Sequence, residues 1–204
     1  MKILKKSKSI ISLIVLGILL FTNCGIIVNA ETKGSYDDVE KIETSEMFEQ
    51  TDTNYYVYFY REDCSDCNFV KEKVLNFAKE NKVYFIDYGL PQNQVNSYNW
   101  KELQDKYNKK VGYLDENEEI VFFPGESYEK YENQKNIYGK KITYSFRIIG
   151  NDVYTNIMTP EIDYSNTMCA EDLIIAGVPT LFYMENGKIK EFYFDSFEIN
   201  DFIQ

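Results

Sequence analysis

The sequence predicts an α/β fold, and three observations lead to that prediction. A run of β-branched and aromatic residues from Tyr55 to Tyr60 is typical of a buried strand. Directly after it, apolar residues at 67, 70, 74 and 77 have the three–four–three spacing of one helix face. A second strand is predicted at 82–88. Strand, helix and strand follow one another in the order that an α/β fold requires.

The first 30 residues predict a secretory signal peptide. Four lysines precede an apolar run over 10–21, and Val28-Asn29-Ala30 supplies a small-residue cleavage site. Two alternatives stay open: an uncleaved membrane tether, because weakly apolar residues continue to position 28, and lipidation at Cys24, which the preceding residues fit badly. All three place the rest of the chain outside the cytoplasm, either secreted or membrane-associated.

The residues after the signal peptide form one predicted domain. Residues 31–37 are polar and predict a flexible linker, and the domain itself spans 38–204. At its start we expect a short edge strand over 39–44. A helix is expected over 45–50, because Ser45 suits an N-cap and Glu46 would lie in the first turn, where the helix dipole favours an acid.

A Cys-x-x-Cys motif, Cys64 and Cys67, lies between the first buried strand and its helix. The spacing allows the first thiol to lie at the helix N-terminus while the second faces it one turn on. Backbone N–H groups and the helix dipole there favour a thiolate on Cys64. Alone, the motif is also compatible with half a zinc site or a structural disulfide. The flanking strand and helix favour a redox pair.

A second stretch, residues 170–194, reads as a short helix, a Gly-Val-Pro-Thr turn and a hairpin that turns at Glu185-Asn186-Gly187. Together with the Cys-x-x-Cys segment it resembles the thioredoxin-like superfamily over residues 38–89 and 168–204, and in particular its extracytoplasmic bacterial thiol–disulfide oxidoreductases. The resemblance implies a three-layer fold in which Pro179 is a cis-proline that packs against the cysteine pair. It also implies that Val178 offers backbone hydrogen bonds to the substrate.

The chain between the two matching stretches is longer than the resemblance implies. We expect an insertion of mixed α/β structure over about 90–166, between the third strand and the cis-proline loop. It contains an amphipathic helix at 99–108, a strand at 120–123, and a hairpin whose strands flank Gly150-Asn151-Asp152. Because both junctions lie at the carboxyl ends of the strands, we expect the insertion to border Cys64 and govern substrate access. The alternative is an extension that only supports the core.

Charged residues beside the cysteine pair modulate its expected chemistry. Carboxylates such as Asp66 disfavour a neighbouring thiolate, whereas Arg61 assists it if its side chain points inward. The resemblance also implies a buried acid on the strand before the motif, where this chain has Tyr58, and an aromatic residue where it has Asp63. Both differences argue against a general reductase.

Cys169 is the third cysteine after the signal peptide. It is expected at the start of the helix that leads to Pro179, and its simplest interpretation is a partly buried thiol. Two alternatives stay open: a third redox centre or intermolecular bridge, and a zinc site shared by Cys64, Cys67, Cys169 and a carboxylate.

Charge and composition exclude several function classes. The first 30 residues hold four of the 22 basic and none of the 33 acidic residues, so the remainder has a net charge of −15. Such a surface repels phosphate backbones, and we expect no nucleic-acid partner. The absence of histidine excludes His-dependent triads, Cys-His proteases, His-ligated haem and the common Cys/His zinc sites. No metal or other cofactor is expected.

We therefore expect an extracytoplasmic thiol–disulfide oxidoreductase that exchanges disulfides with exported proteins through Cys64 and Cys67 and depends on a separate redox partner. Two alternatives belong to other classes. One is a binding module with a permanently oxidised, structural disulfide. The other is a dedicated partner of one export or surface-assembly system, for which the insertion supplies recognition. Disulfide exchange on an arbitrary peptide separates the first class from the other two.

Overall fold

The computed structural model describes residues 34–204, and their architecture is mixed α/β. The predicted signal peptide, with its alternatives of a tether and a lipidated Cys24, lies outside these residues. Over 34–204, no helix is both long enough and apolar enough to cross a membrane.

Both ends of the described chain build one four-stranded sheet, called here the first sheet, in the order β10-β9-β1-β2. Strand β1 (Asn54–Tyr60) lies parallel to β2 (Val83–Asp87). Strand β9 (Thr180–Glu185) pairs antiparallel with β1 on one side and with β10 (Lys188–Phe194) on the other. The strands predicted at 55–60 and 82–88 are therefore confirmed.

The hairpin of β9 and β10 is also confirmed. Asn186 and Gly187 at its tip have φ angles of 51° and 69°. Positive φ at both central residues is what a two-residue turn needs to match the twist of the strands, and an Asn-Gly pair adopts it most readily.

Alternate residues of β1 enter two hydrophobic clusters on opposite faces of the first sheet. Tyr55, Val57 and Phe59 lie in one cluster, and Tyr58 and Tyr60 lie in the other. Because both faces are covered, the strand is a continuous apolar run rather than an alternation of apolar and polar residues.

Two helices cover the Tyr58 face of the first sheet. The predicted helix is confirmed as α1 (Ser65–Glu80), which buries Cys67, Val70 and Val74. A helix at the C-terminal end of the chain, residues 195–202, packs beside it. This second helix is not among the sequence predictions.

The opposite face of the first sheet lacks the predicted helices. The expected helix over 45–50 is a single 3₁₀ turn, Thr44–Glu46. Thr44 is drawn into tertiary hydrogen bonds instead, since its amide donates to Asn93 Oδ1 (3.1 Å) and its hydroxyl to Asn93 O (2.8 Å). The edge strand expected over 39–44 is reduced to one bridge between Lys41 and Phe85.

The prediction of a helix before Pro179 is also wrong. The chain forms a 3₁₀ turn, Ala170–Asp172. It then enters a two-residue strand, Ile174–Ile175, that pairs in parallel with Asn96–Ser97. Two adjacent β-branched residues favour the extended form, and the partner strand comes from a segment distant in sequence.

The flexible linker predicted over 31–37 does not hold for its described part. Residues Tyr36–Asp38 form a 3₁₀ turn whose N-cap, Ser35, accepts the amide of Asp37. The side chain of Tyr36 is buried in the same cluster as Tyr58 and Cys67. The domain therefore begins before residue 38.

The insertion forms a second four-stranded antiparallel sheet, the inserted sheet, in the order β5-β4-β7-β6. Its predicted parts are confirmed: the helix at 100–107, the strand at 120–122, and the hairpin of 144–149 with 152–157. Strand β4 was not predicted. In chain order the remaining elements are β3 (Asn96–Ser97), α2 (Trp100–Tyr107), β4 (Lys110–Leu114), β5 (Ile120–Phe122), α3 (Tyr128–Glu132), β6 (Tyr144–Ile149), β7 (Asp152–Ile157), β8 (Ile174–Ile175) and α4 (Asp195–Phe202).

The chain enters and leaves the inserted sheet at one place, called here the stem. Asn108, which follows α2, accepts a hydrogen bond at Oδ1 from the amide of Ile157 at the end of β7 (2.8 Å). Further along both connections toward the first sheet, the Tyr98 hydroxyl oxygen accepts a hydrogen bond from the amide of Glu161 (3.0 Å). The two connections to the first sheet therefore run side by side.

Candidate functional site

Cys64 is the N-cap of α1. Its extended backbone (φ −87°, ψ 121°) ends the loop that follows β1, and its Sγ accepts the amide of Cys67 at 3.2 Å. The side-chain amide of Asn68 donates to Glu62 O at 3.1 Å and so ties the loop to the helix. The sulfur of Cys64 thus lies where the orphan amides of a helix start favour negative charge.

The two cysteines differ in their surroundings. Cys64 is half-buried, Cys67 is fully buried, and both carry free thiols. Burial, followed by the adjacent Cys64, raises the pKa of the Cys67 thiol well above its usual value. A half-buried cysteine at the helix start is therefore followed, one turn on, by a buried thiol that stays protonated at neutral pH.

The loop before β9 lies against Cys64. The Val178–Pro179 peptide bond is cis, as expected, and Val178 O lies 3.5 Å from the Sγ of Cys64. The loop is held by the Thr180 hydroxyl, which donates to Gly177 O at 2.8 Å, and by the pairing of Thr180 with Phe59 of β1. The pairing of β1 with β9 thus brings together Cys64 and Val178, which lie 114 positions apart in the sequence.

The charged side chains near Cys64 are arranged around one ion pair. Arg61 donates to both carboxylate oxygens of Asp63, from Nε at 2.8 Å and from Nη2 at 2.6 Å. This hydrogen bonding lowers the pKa of the Asp63 carboxyl and raises that of Arg61, to which a charge on Cys64 also contributes. Asp66, the other residue expected to modulate the thiol, is exposed in the first turn of α1.

An open groove begins at this ion pair. It has a volume of about 510 Å³ and is bordered on one side by the loop before Cys64 and on the other by the first residues of the insertion. The first residues of the insertion therefore lie across the groove from the loop before Cys64, and control of substrate access stays a prediction. The lining residues are Arg61, Glu62, Asp63, Asp87, Tyr88, Gly89, Leu90, Gln94 and Ser97.

The insertion also touches the loop that carries Val178. The indole N–H of Trp100, at the start of α2, donates to Ala176 O at 2.8 Å. The same ring lies 5.8 Å from that of Phe194 at the end of β10. The loop that carries Val178 is thus braced by the inserted region.

Three tyrosines surround the buried cysteine in the cluster beneath the site. Tyr36 donates its hydroxyl to Cys67 O at 3.5 Å, and Tyr58 and Tyr60 project from β1 into the same cluster. Sequence reasoning assigned Tyr36 to a linker and so missed it. A single aromatic residue within a polar segment was the available signal.

Cys169 takes a different environment from the cysteine pair. It precedes the 3₁₀ turn at 170–172, and its thiol donates to Asp172 Oδ2 at 3.3 Å. Over residues 34–204, Cys, Asp and Glu side chains do not gather in groups of three that could hold a metal ion. The zinc alternative therefore finds no ligand set in that part of the chain.

No protein-family model and no curated protein matches this chain. Its chemistry is therefore inferred from its own residues.

Proposed function

We propose that this protein is a thioredoxin-like thiol–disulfide oxidoreductase that acts outside the cytoplasm on the thiols and disulfides of exported proteins. The observation that carries the proposal is the asymmetry of the Cys64–Cys67 pair. One cysteine is half-buried and its sulfur receives an amide N–H at a helix start, and the other is buried one turn on with its proton retained.

In the proposed reaction, the thiolate of Cys64 attacks a substrate disulfide. A mixed disulfide forms, and one substrate sulfur leaves as a thiolate that takes up a proton. Cys67 then loses its proton and attacks the Sγ of Cys64, which breaks the mixed disulfide and releases the second substrate thiol. The substrate disulfide gains two electrons and the cysteine pair loses two. In the reverse direction, the same steps oxidise a substrate dithiol.

Two features, a backbone carbonyl and a groove, support a substrate site beside Cys64. Val178 O faces the sulfur at 3.5 Å, so an extended substrate that donates an N–H to this carbonyl would lie alongside the reacting atom. The groove that starts at Arg61 and Asp63 extends from the same loop toward Leu90. The strand, helix and hairpin arrangement of the first sheet supports the thioredoxin-like assignment.

The test uses single cysteine variants in cells that export the protein. Cys67→Ser removes the resolving thiol, so it should accumulate mixed disulfides with exported proteins, visible as reducible bands on gels. Cys64→Ser should accumulate none, and Cys169→Ser should behave as the unaltered protein does. Trapping by Cys64→Ser alone would reverse the two roles. Absence of exchange with any peptide disulfide would favour an accessory module with a structural disulfide.

A further inference from the structure

Two side-chain polar atoms are buried without a hydrogen-bond partner in the described part of the chain. They are the hydroxyl oxygens of Tyr58 and Tyr60, and both side chains have no exposed surface. Burial of an unpaired hydroxyl is unfavourable, and native structures contain few such groups. A phenylalanine would fill the same volume without this cost. Each hydroxyl therefore needs an explanation.

The two tyrosines are close neighbours with different surroundings. Their rings stack at 6.1 Å with an interplanar angle of 5°. Burial raises the pKa of both. At Tyr58 the next contributions come from Tyr36 and from a charge on Cys67, whereas at Tyr60 they come from Asp87 and Glu62. Both hydroxyls share one cluster with Cys67, but a charge on Cys67 is among the main influences on the pKa of Tyr58 alone. Tyr60 is therefore a matched control on the same strand and face.

The hydrogen-bonding capacity of Cys67 changes during the proposed reaction. A thiol is a weak acceptor, whereas a thiolate is a charged acceptor that forms much stronger hydrogen bonds. The sulfur must become a thiolate to attack Cys64, and it does so inside the cluster that contains the Tyr58 hydroxyl. At rest the Tyr58 hydroxyl has the Tyr36 hydroxyl nearby but no partner within hydrogen-bond distance, and it would then acquire a charged acceptor.

We propose that Tyr58 donates a hydrogen bond from its hydroxyl to the Sγ of Cys67 when that sulfur becomes a thiolate, and so promotes the resolving step. The inference rests on the proposed function. Tyr58 keeps its own proton throughout, because burial raises its pKa far above neutrality. The proton of Cys67 passes to the departing substrate thiolate or to water, and the new bond joins Cys64 to Cys67.

Other titratable groups also face this sulfur and contribute to its pH dependence. Cys64 and Asp66 lie on its own helix, and Tyr36 reaches it from the N-terminal turn. The Arg61 backbone lowers the pKa of the thiol. All of these groups stay in place when the Tyr58 hydroxyl alone is removed.

A two-phase assay separates the two sulfurs. An aromatic chromogenic disulfide reacts with Cys64 and releases one coloured thiol, and attack by Cys67 then releases the second. The variants Tyr58→Phe and Tyr60→Phe are compared with their parent, in which Cys24→Ser and Cys169→Ser leave only the pair to react. Both rates are recorded from neutral to alkaline pH.

For Tyr58→Phe we expect an unchanged first phase and a second phase about tenfold slower at neutral pH, the equivalent of ~1.4 kcal/mol in the barrier. The difference should shrink as alkaline pH ionises Cys67 without help. Tyr60→Phe should change neither phase. The unchanged first phase also reports that the variant is folded.

Two results overturn the inference while the proposed function stands. One is a second phase in Tyr58→Phe as fast as in the parent. The other is an equal slowing in Tyr58→Phe and Tyr60→Phe, which would indicate repacking of the cluster. If the parent shows no second phase, and mass spectrometry finds no Cys64–Cys67 disulfide, the proposed function fails and the inference fails with it.

Discussion

The first sheet and the inserted sheet both have four strands, yet they are stabilised differently. The first sheet buries both faces in large apolar clusters. The inserted sheet has two small clusters, one centred on Leu103 and Ile157 and the other on Val111 and Val153. Ile149 on its edge strand β6 is exposed. Only the first sheet supplies the dry, closely packed support that a buried thiol requires.

Ionic contacts replace apolar burial in the inserted region. Glu126 accepts hydrogen bonds from the side chains of Lys109 (2.9 Å) and Tyr131 and pairs with Lys130 (2.9 Å). Glu161 joins Lys106 and Tyr107 at the stem. The cysteine pair and the large apolar clusters therefore lie in one region, whereas the other region is held largely by titratable contacts. The difference between the two regions can be tested by substitution, by pH and by the reactivity of Cys64.

The largest expected change in the free energy of unfolding comes from a matched pair of substitutions, one in each region. Ile86→Ala in β2 and Ile157→Ala in β7 remove the same atoms from buried positions with 0% and 1% exposure. Such losses cost about 2–5 kcal/mol, and the cost is larger where the surroundings cannot collapse. We expect Ile86→Ala near the upper value and Ile157→Ala near the lower, measured as free energies of unfolding in urea. Equal losses would contradict the contrast.

A second experiment overpacks the inserted sheet alone. A Cβ at Gly112 in β4 would collide with Val121 O of the paired strand, so Gly112→Ala should lower the free energy of unfolding by about 1–3 kcal/mol. The rate at which iodoacetamide alkylates Cys64 should stay within about twofold, because the site is built on the first sheet. A parallel loss of Cys64 reactivity would show that the two regions are one unit.

The third experiment uses pH. The Tyr131 hydroxyl, then the paired lysines, lower the pKa of Glu126 from 4.5 to about 2. A carboxyl whose pKa is lower in the folded than in the unfolded chain stabilises the folded state. The stabilisation is fully present at pH values above the unfolded pKa, and it is lost as the pH falls from about 4.5 toward 2. We expect Glu126→Gln to cost about 1–2 kcal/mol at neutral pH and to show a smaller loss of stability on acidification.

Glu132→Gln is the control for that measurement, since Glu132 is an exposed residue at the end of α3. It should leave the acid transition unchanged. If both variants retain the full acid sensitivity of the parent, the pH-dependent stability arises from groups other than Glu126, and this prediction is wrong.

The smallest effect concerns the charges beside the site. Asp63→Asn should release the Arg61 guanidinium, whose pKa already responds to a charge on Cys64. Exposed pairs of this kind have small energies, so alkylation of Cys64 at neutral pH should become about two- to threefold faster. Asp66→Asn removes a carboxylate from the first turn of the same helix but frees no cation, and its increase should be smaller. The opposite order would show that Arg61 does not act on Cys64.

Elements with strong local signals could be predicted from the sequence. Strand β1 and helix α1 follow from a continuous apolar run and a regular helical spacing, and the β9–β10 turn follows from its Asn-Gly pair. Strand β4 was missed because Gly112 weakens its pattern. Its pairing depends on distant strands, and only a residue without a side chain fits beside Val121 O.

Elements stabilised by distant partners could not be predicted in the same way. The turn at Thr44 is fixed by Asn93, and the strand at Ile174–Ile175 by Asn96–Ser97. Helix α4 did carry a local signal, since Asp195 accepts the amides of Phe197 and Glu198 while the Glu198 side chain accepts that of Phe194. For the candidate site, the Cys-x-x-Cys motif indicates the cysteines and the family resemblance indicates Val178, whereas the role of Tyr36 depends on burial that only the folded chain defines.

The stem has a consequence for how this chain can change. Asn108 accepts a hydrogen bond from the amide of Ile157, so the inserted sheet begins and ends at neighbouring points. A segment of a different length can take its place if its own two ends lie equally close together. The entropy of closing such a loop grows only slowly with its length. The stem is thus a position at which one inserted segment can be exchanged for another while the first sheet and the helix that begins at Cys64 are left unchanged.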